Sequence, residues 1–318
     1  MADILSAITP IFAVILVGYL ATRFGLFKAA DMSILNRFVV KIGLPMLIFF
    51  NLAGRPASEI FNVTYLLIYG LAAALVMGLA QLYGKVKGTS KHRATFMGMG
   101  MAGTNNGFMG FPIFLAVIPA VAGPAVGMDM IIDNLVTIPI TLFIAEQAMQ
   151  RGGSLIKRVT STLVGLFTNP LIIAIIAALA VSALKIDVPA PVMSSVELLA
   201  RTSSGVALFA VGGTLVGLKL GSMAADIVTT VVGKLVLMPA VALGLVFLLG
   251  AIGAPELSND LKAAAVLTAA LPTFSVLPAL AERFGESEFG AATVMTSTIF
   301  AYFTMTSWMF LLSTMGWM

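Results

Sequence analysis

The chain contains no cysteine. That excludes disulfides, thiolate metal sites and a thiol nucleophile. It has a single histidine, His92, set in the basic run KHR, where a solvated connector residue is expected. Charge is scarce too. Lys, Arg, Asp and Glu make up 10% of the 318 residues, against about 25% in soluble domains. In their place, 59% of the chain is hydrophobic and the mean hydropathy is +1.05. No soluble core hides that much apolar surface, so the solvent of this chain is largely lipid. The net charge of +4 does not point to nucleic acid, because the basic residues sit in short connectors and form no patch. No Ser–His–Asp set, paired-carboxylate constellation or phosphate loop is evident. The sequence reads as a non-enzyme with no cofactor and no metal site.

What is present is a series of apolar runs long enough to cross a bilayer. Spans of about 20 residues are predicted near 4–23, 31–53, 63–84, 94–118, 123–148, 168–185, 191–217, 226–250, 260–283 and 288–314. The first reads as a retained span and not a signal peptide. It has no basic start, its apolar stretch is too long, and no small-x-small cleavage site follows. Lys and Arg concentrate in alternate connectors, at Arg23, Lys28, Lys85, Lys87, Lys91, Arg93, Arg151, Lys157, Arg158, Lys219 and Arg283. The other connectors hold only Arg55, Lys185 and Lys262. The positive-inside rule then puts the first set in the cytoplasm and both termini outside.

The two halves of the chain echo each other. TPIFAVILVGYLA from Thr9 matches NPLIIAIIAALAV from Asn169, aligning Pro10 with Pro170. Met32-Ser33 matches Met193-Ser194, and NNGFMGFP matches LPTFSVLP, aligning Phe108 with Phe274 and Pro112 with Pro278. Five spans per half is an odd number, so the halves would lie in opposite orientations. The organisation expected is 1–149, a cytoplasmic connector 150–162, and 163–318, an inverted repeat of the kind secondary transporters use.

The fourth and ninth spans are the disrupted ones, at equivalent places. Pro112 removes a backbone donor and clashes with the carbonyl four residues earlier. Gly103, Gly107 and Gly110 lower the cost of leaving the helix. Pro272 and Pro278 bracket Thr273, Phe274 and Ser275. Unwound backbone at membrane depth survives only where protein or a watery cavity satisfies it. Two breaks crossing near the midplane would bring two half-helix N-termini together, which favours an anion such as a carboxylate. The predicted substrate contacts are Asn105, Asn106, Gly107, Thr273, Phe274 and Ser275, with Pro112, Pro272 and Pro278 shaping the crossover.

Charges inside spans are costly and so are functional candidates. Asp129 and Asp133 lie four apart in the fifth span, Asp129 near a solvated end and Asp133 deeper. Asp133 is the better candidate for a coupling proton or sodium ion. Glu197 and Arg201 lie four apart and read as an internal ion pair. Lys234 lies within the eighth span. Arg37 and Lys41 sit near a span end and can snorkel. Met residues read as adaptable packing.

With these features placed, the sequence resembles the auxin efflux carrier family, which includes bacterial organic-acid transporters. The resemblance rests on ILNRFVVKIGLP (34–45), NNGFMGFP (105–112), TNPL (168–171), GVALFAVG (205–212), KLVLMPAV (234–241) and ALPTFSVLP (270–278). It implies an all-α fold of ten spans in two inverted five-helix repeats, similar to the bile-acid and sodium–proton transporters. It also implies a scaffold of spans 1, 2, 6 and 7, often dimeric, and a transport domain of spans 3–5 and 8–10. Substrate would sit at the crossover of spans 4 and 9, with Asn105 on its carboxylate, and move by an elevator-like step. TYLLIYGLAAAL (64–75) lacks the acid and lysine that some plant members carry there, and the long central loop of many plant carriers is missing. The function expected is transport of a small organic anion, malonate or a similar dicarboxylate, across the cell inner membrane. The alternatives are a cation-coupled exchanger using Asp129 or Asp133, and a non-transporting membrane receptor. The expected partners are the substrate, the bilayer and a second copy of the chain.

Overall fold

The computed structural model describes residues 2–28, 30–53, 61–148, 170–216 and 223–318. The predicted connector 150–162, with Arg151, Lys157 and Arg158, lies outside them, as do Arg55, Lys219, Thr168 and Asn169.

The described residues are helical throughout, apart from connectors and one isolated bridge. The helices are α1 (Ala2–Arg23), α2 (Asp31–Leu52), α3 (Val63–Lys87), α4 (Lys91–Ala102), α5 (Asn106–Val117) and α6 (Ala122–Ala148). They continue as α7 (Pro170–Ala183), α8 (Ala190–Thr214), α9 (Ala224–Ala251), α10 (Asn259–Ala270), α11 (Leu277–Ala281) and α12 (Ser287–Thr314). Among the described residues, α2, α3, α6, α9 and α12 are each long and apolar enough to cross a membrane. A helix that buries only half of such a span leaves the rest to lipid. Leu67, Leu71, Leu75, Leu79 and Leu82 make such an exposed stripe on α3, while Tyr65, Ile68, Tyr69, Ala72 and Val76 are buried on its other side. The spacing within each stripe is helical.

The chain forms two compact units. Unit 1 holds 1–62, 107–130 and 156–216. There α1 runs along α8, and the second half of α2 packs on α7 and α8. Unit 2 holds 63–106, 131–155 and 217–318. There α3 packs on α4 and α9, α9 on α10, and α12 on α10 and α11.

Four long segments share a device the sequence reading did not foresee. Val39–Gly43, Asn106–Gly110, Asp133–Thr137 and Gly233–Leu237 are π-helical. Each is followed, after one residue, by a proline: Pro45, Pro112, Pro139 and Pro239. Proline clashes with the carbonyl four residues earlier. A wider turn just before the ring relieves the clash and leaves one extra residue in the helix. In α9 the carbonyl four residues before Pro239 is that of Leu235. It accepts a hydrogen bond from Trp308 Nε1 at 3.0 Å.

Three residues expected in a basic connector, Lys91, His92 and Arg93, lie in α4. Its N-cap is Ser90, whose hydroxyl accepts from the Arg93 backbone N–H at 3.1 Å. A helix starting at Lys91 takes His92 and Arg93 with it. His92 Nε2 lies 3.2 Å from the Ala145 carbonyl, and its ring packs beside Phe284. The Arg93 guanidinium pairs with Glu286 at 2.5 Å and Asp226 at 3.1 Å and covers the Phe289 ring. These side chains are largely buried, so one arginine clamps α4 to the start of α9 and to the start of α12. Asp129, expected near a solvated end, is fully buried in unit 1. Breaking a buried pair from one side strands the remaining charge. Arg93→Ala, which strands two carboxylates, should therefore destabilise the protein by about 3 kcal/mol. Thermal unfolding in detergent, followed by size-exclusion of the heated sample, measures this directly.

Candidate functional site

The site is built in unit 2, where α4 and α10 stop. α4 ends at Gly103, whose backbone is extended (φ −68°, ψ 137°). α10 ends at Leu271, also extended (φ −59°, ψ 151°). The two extended pieces pair in antiparallel fashion through Thr104 and Thr273. The Asn105 N–H donates to the Pro272 carbonyl at 2.9 Å. The Thr273 N–H donates to Ser297 Oγ at 3.2 Å, and the Thr273 hydroxyl donates to the Gly100 carbonyl at 2.7 Å. Pro272 supplies an acceptor and needs no donor partner, so it fits a pairing that uses only its carbonyl. Gly103 is required by close approach: a Cβ there would overlap the Phe274 ring.

Two polar groups stand on this pairing. On one, the Asn105 side-chain amide donates to Ser275 Oγ at 3.0 Å. The other centres on Asp133, at the start of the π-helical stretch of α6. Its Oδ1 accepts from the Tyr69 hydroxyl at 2.9 Å. Its Oδ2 accepts from the Asn106 amide at 3.0 Å, the Thr104 hydroxyl at 3.1 Å and the Thr104 N–H at 3.4 Å. The Tyr69 and Thr104 hydroxyls also lie 2.9 Å apart. Lys234 is fully buried in the π-helical stretch of α9. The Lys234 ammonium also lies 3.9 Å from Met238 Sδ.

A model of the membrane transport protein family matches residues 3–309. The chain belongs to that family, the family of the auxin efflux carriers. It is a membrane-embedded, multi-pass transporter and not an enzyme. A "Putative malonate transporter" of Rhizobium meliloti (strain 1021) is 27% identical over 318 residues, covering 98% of this chain and 97% of that protein. The "Uncharacterized transporter YfdV" of Escherichia coli (strain K12) is 27% identical over 310 residues, covering 95% of each chain. A further "Uncharacterized transporter", from Methanothermobacter thermautotrophicus, is 25% identical over 107 residues, or 33% of this chain and 35% of its own.

In this transporter, Asn105, Asn106, Thr273, Phe274, Ser275, Pro272, Asp133 and Lys234 come together in unit 2, and Pro278 opens α11 beside them. Gly107 and Pro112 belong to unit 1, where Gly107 lies beside Leu44 and Met130. Asp129 also belongs to unit 1. Glu197 and Arg201 pair at 2.6 Å on α8, but on an exposed face, with the Arg201 side chain 76% exposed. They are not an internal pair. The expected meeting of two half-helix N-termini is altered by two facts. α11 is only Leu277–Ala281, too short to carry much dipole. At the start of α5, Thr104 and Asn106 already face an internal carboxylate, Asp133. The sequence reading missed Tyr69, Thr104 and Ser297. Tyr69 and Ser297 lie in long unbroken helices with nothing nearby to single them out. Thr104 directly precedes the broken motif NNGFMGFP, but no pattern in the sequence ties it to Asp133.

Asp133 accepts from the Tyr69 hydroxyl, the Thr104 hydroxyl and the Asn106 amide. Asp133→Leu removes that shared acceptor and should cost about 3 kcal/mol. Asp133→Asn, which keeps an acceptor, should cost less than half of that. Intrinsic-fluorescence melting of both variants in one detergent checks the order.

Proposed function

We propose that the protein is a secondary active transporter that carries a small organic anion, malonate or a similar dicarboxylate, across the cell inner membrane. The observation that carries this reading is the pairing of two broken segments in unit 2, with the Asn105 amide and the Ser275 hydroxyl side by side. A hydroxyl and an amide that satisfy each other at 3.0 Å can both turn to a carboxylate oxygen. Neither is needed to hold the backbone, since that work is done by Pro272, Thr273 and Ser297. Transport folds keep irregular backbone at membrane depth for such contacts. The description of the Rhizobium meliloti relative as a "Putative malonate transporter" supports malonate as the first substrate to test.

In this reading the chain makes ten spans in two inverted five-span repeats, 1–149 and 163–318, with 150–162 in the cytoplasm and both termini periplasmic. α1, α2, α7 and α8 form a scaffold that pairs with a second copy. α3–α6 and α9–α12 form the transport domain, which moves its substrate by an elevator-type step. Asn105 and Ser275 bind the carboxylate, Asn106 and Thr273 hold them in place, and Phe274 covers Gly103.

The buried Asp133 carboxyl, held by Asn106 next to Asn105, favours proton coupling as a second element. An ionised carboxyl there repels an incoming anion, and protonating Asp133 removes that repulsion. Uptake should then rise as the pH on the substrate side falls. Asp133→Asn should transport with that dependence flattened. The test is uptake of labelled mono- and dicarboxylates into proteoliposomes, with and without a pH or sodium gradient. Asn105→Ala should lower uptake at least tenfold, equivalent to about 1.4 kcal/mol of lost binding, while the protein still elutes as a folded peak. Movement of a neutral or cationic solute with no carboxylate uptake would overturn the reading.

A further inference from the structure

A concave site lies at one end of unit 2, lined by none of the residues of the broken segments. It is a cavity of about 500 Å³, within the size range of small-ligand sites. Its lining changes along its depth. Ile68, Val246 and Phe247 supply an apolar wall, while Thr64, Glu256 and Lys262 supply a polar mouth. The change of character coincides with helix ends. α3 starts at Val63, α9 stops at Ala251 and α10 starts at Asn259. The apolar wall therefore lies deeper along α3 and α9, and the mouth lies at the helix ends: Thr64 and Lys262 in the first turns of α3 and α10, and Glu256 in the connector between α9 and α10. That is the level at which a bilayer passes from hydrocarbon to headgroup.

Trp317 closes one side. Gly316 takes a left-handed conformation (φ 71°) after α12. The Trp317 N–H then reaches back to the Leu312 carbonyl at 3.1 Å, and Asn259 Nδ2 holds the Gly316 carbonyl at 3.1 Å. This reversal turns the indole onto Phe247, with ring centres 5.7 Å apart. A glycine is needed there because other L-residues rarely adopt that φ. An amphipathic indole at a span end is the residue type that membranes favour at their interface.

The mouth carries one charge of each sign. Lys262 Nζ lies 2.8 Å from Glu256 Oε1 and 5.9 Å above the Trp317 ring. Glu256 is 85% exposed, whereas the Lys262 side chain is 17% exposed. The hydrogen bond and charge of Lys262 hold the Glu256 carboxyl below its usual range. The Lys262 ammonium has donors to spare after one bond to Glu256. The outward carboxylate has acceptor capacity to spare in the same way. A mouth that is neutral overall but split into plus and minus matches a headgroup built the same way. A purely anionic headgroup would meet Lys262 but be repelled by Glu256.

We propose that this cavity binds a zwitterionic phospholipid with a primary-amine headgroup, its phosphate on Lys262, its ammonium on Glu256 and the Trp317 face, and its upper acyl chain along Ile68, Val246 and Phe247. The site is independent of the broken segments, so its fate does not depend on which solute is carried.

The chain has two tryptophans, so Trp308→Phe leaves Trp317 as the only reporter. That variant in detergent is titrated with phospholipids brominated on the acyl chain, bearing ethanolamine, choline or glycerol headgroups. Trp317 fluorescence should be quenched saturably, and by the ethanolamine lipid at the lowest concentration. Lys262→Ala should raise the concentration needed about tenfold, as expected for loss of a charge-assisted bond. Glu256→Lys makes the mouth cationic and should move the preference to the glycerol lipid. Soluble glycerophosphoethanolamine should not compete at matched concentration, because it lacks the acyl chain. Equal quenching by all three lipids, unchanged by either charge substitution, would mark ordinary boundary lipid and overturn the proposal. So would full competition by the soluble headgroup. Trp308 also holds the Leu235 carbonyl, so native mass spectrometry of the unmodified protein gives a second readout. Retention of the ethanolamine lipid over the glycerol lipid, lost in Lys262→Ala, supports the site, and equal retention overturns it.

Discussion

A helix broken inside a membrane leaves backbone donors and acceptors that lipid cannot satisfy, and the rest of unit 2 is arranged around that constraint. Each unsatisfied group would cost several kcal/mol in hydrocarbon. The chain answers by breaking two helices and pairing the exposed pieces. Asn105 donates to Pro272, Thr273 to Ser297, and the Thr273 hydroxyl to the Gly100 carbonyl. The break is thus a short piece of sheet enclosed by helices, which lets side chains at its rim stay available for other work. The same logic recurs at Pro239, where Trp308 satisfies the Leu235 carbonyl.

Electrostatics follow from the same place. Once α4 ends, the Thr104 N–H and the Asn106 amide need acceptors, and Asp133 provides them. The carboxylate in turn needs donors, which Tyr69, Thr104 and Asn106 supply. Asp133, Asn106 and Lys234 all stand in π-helical stretches that precede a proline. The extra residue in such a turn rotates the side chains after it relative to those before it. A proline that would otherwise only kink the helix thereby changes which residues face the break. This ties a backbone defect visible in the sequence to the positions of two buried charged residues, Asp133 and Lys234.

Much of the architecture was legible before any coordinates. The edges expected for α3, α6, α8, α9 and α12 fall within about three residues of those observed, because long apolar runs have few ways to be satisfied in lipid except as helices. The breaks were legible for the converse reason, since Gly103, Pro112, Pro272 and Pro278 are costly in a helix. Asp133 and Lys234 stood out because charge in a span is rare. Connector edges were less legible. Arg93 looked like a solvated anchor because its partners, Asp226 and Glu286, are far along the chain, and Ser90 capping moved the helix start past it. Asp129 looked solvated from its distance to a span end, yet it packs inside unit 1.

The sequence by itself determined that this is an all-helical membrane protein, where its helices fail, and which polar residues lie at the failures. These are local properties, set by hydropathy, proline stereochemistry and the price of unpaired backbone. The tertiary structure decided the partners. It joined Asn105 to Ser275, gathered Tyr69, Thr104 and Asn106 on Asp133, and folded Trp317 onto Phe247. Those choices depend on which helix faces meet. A hydroxyl on an unbroken helix carries no sequence signal until packing gives it a neighbour.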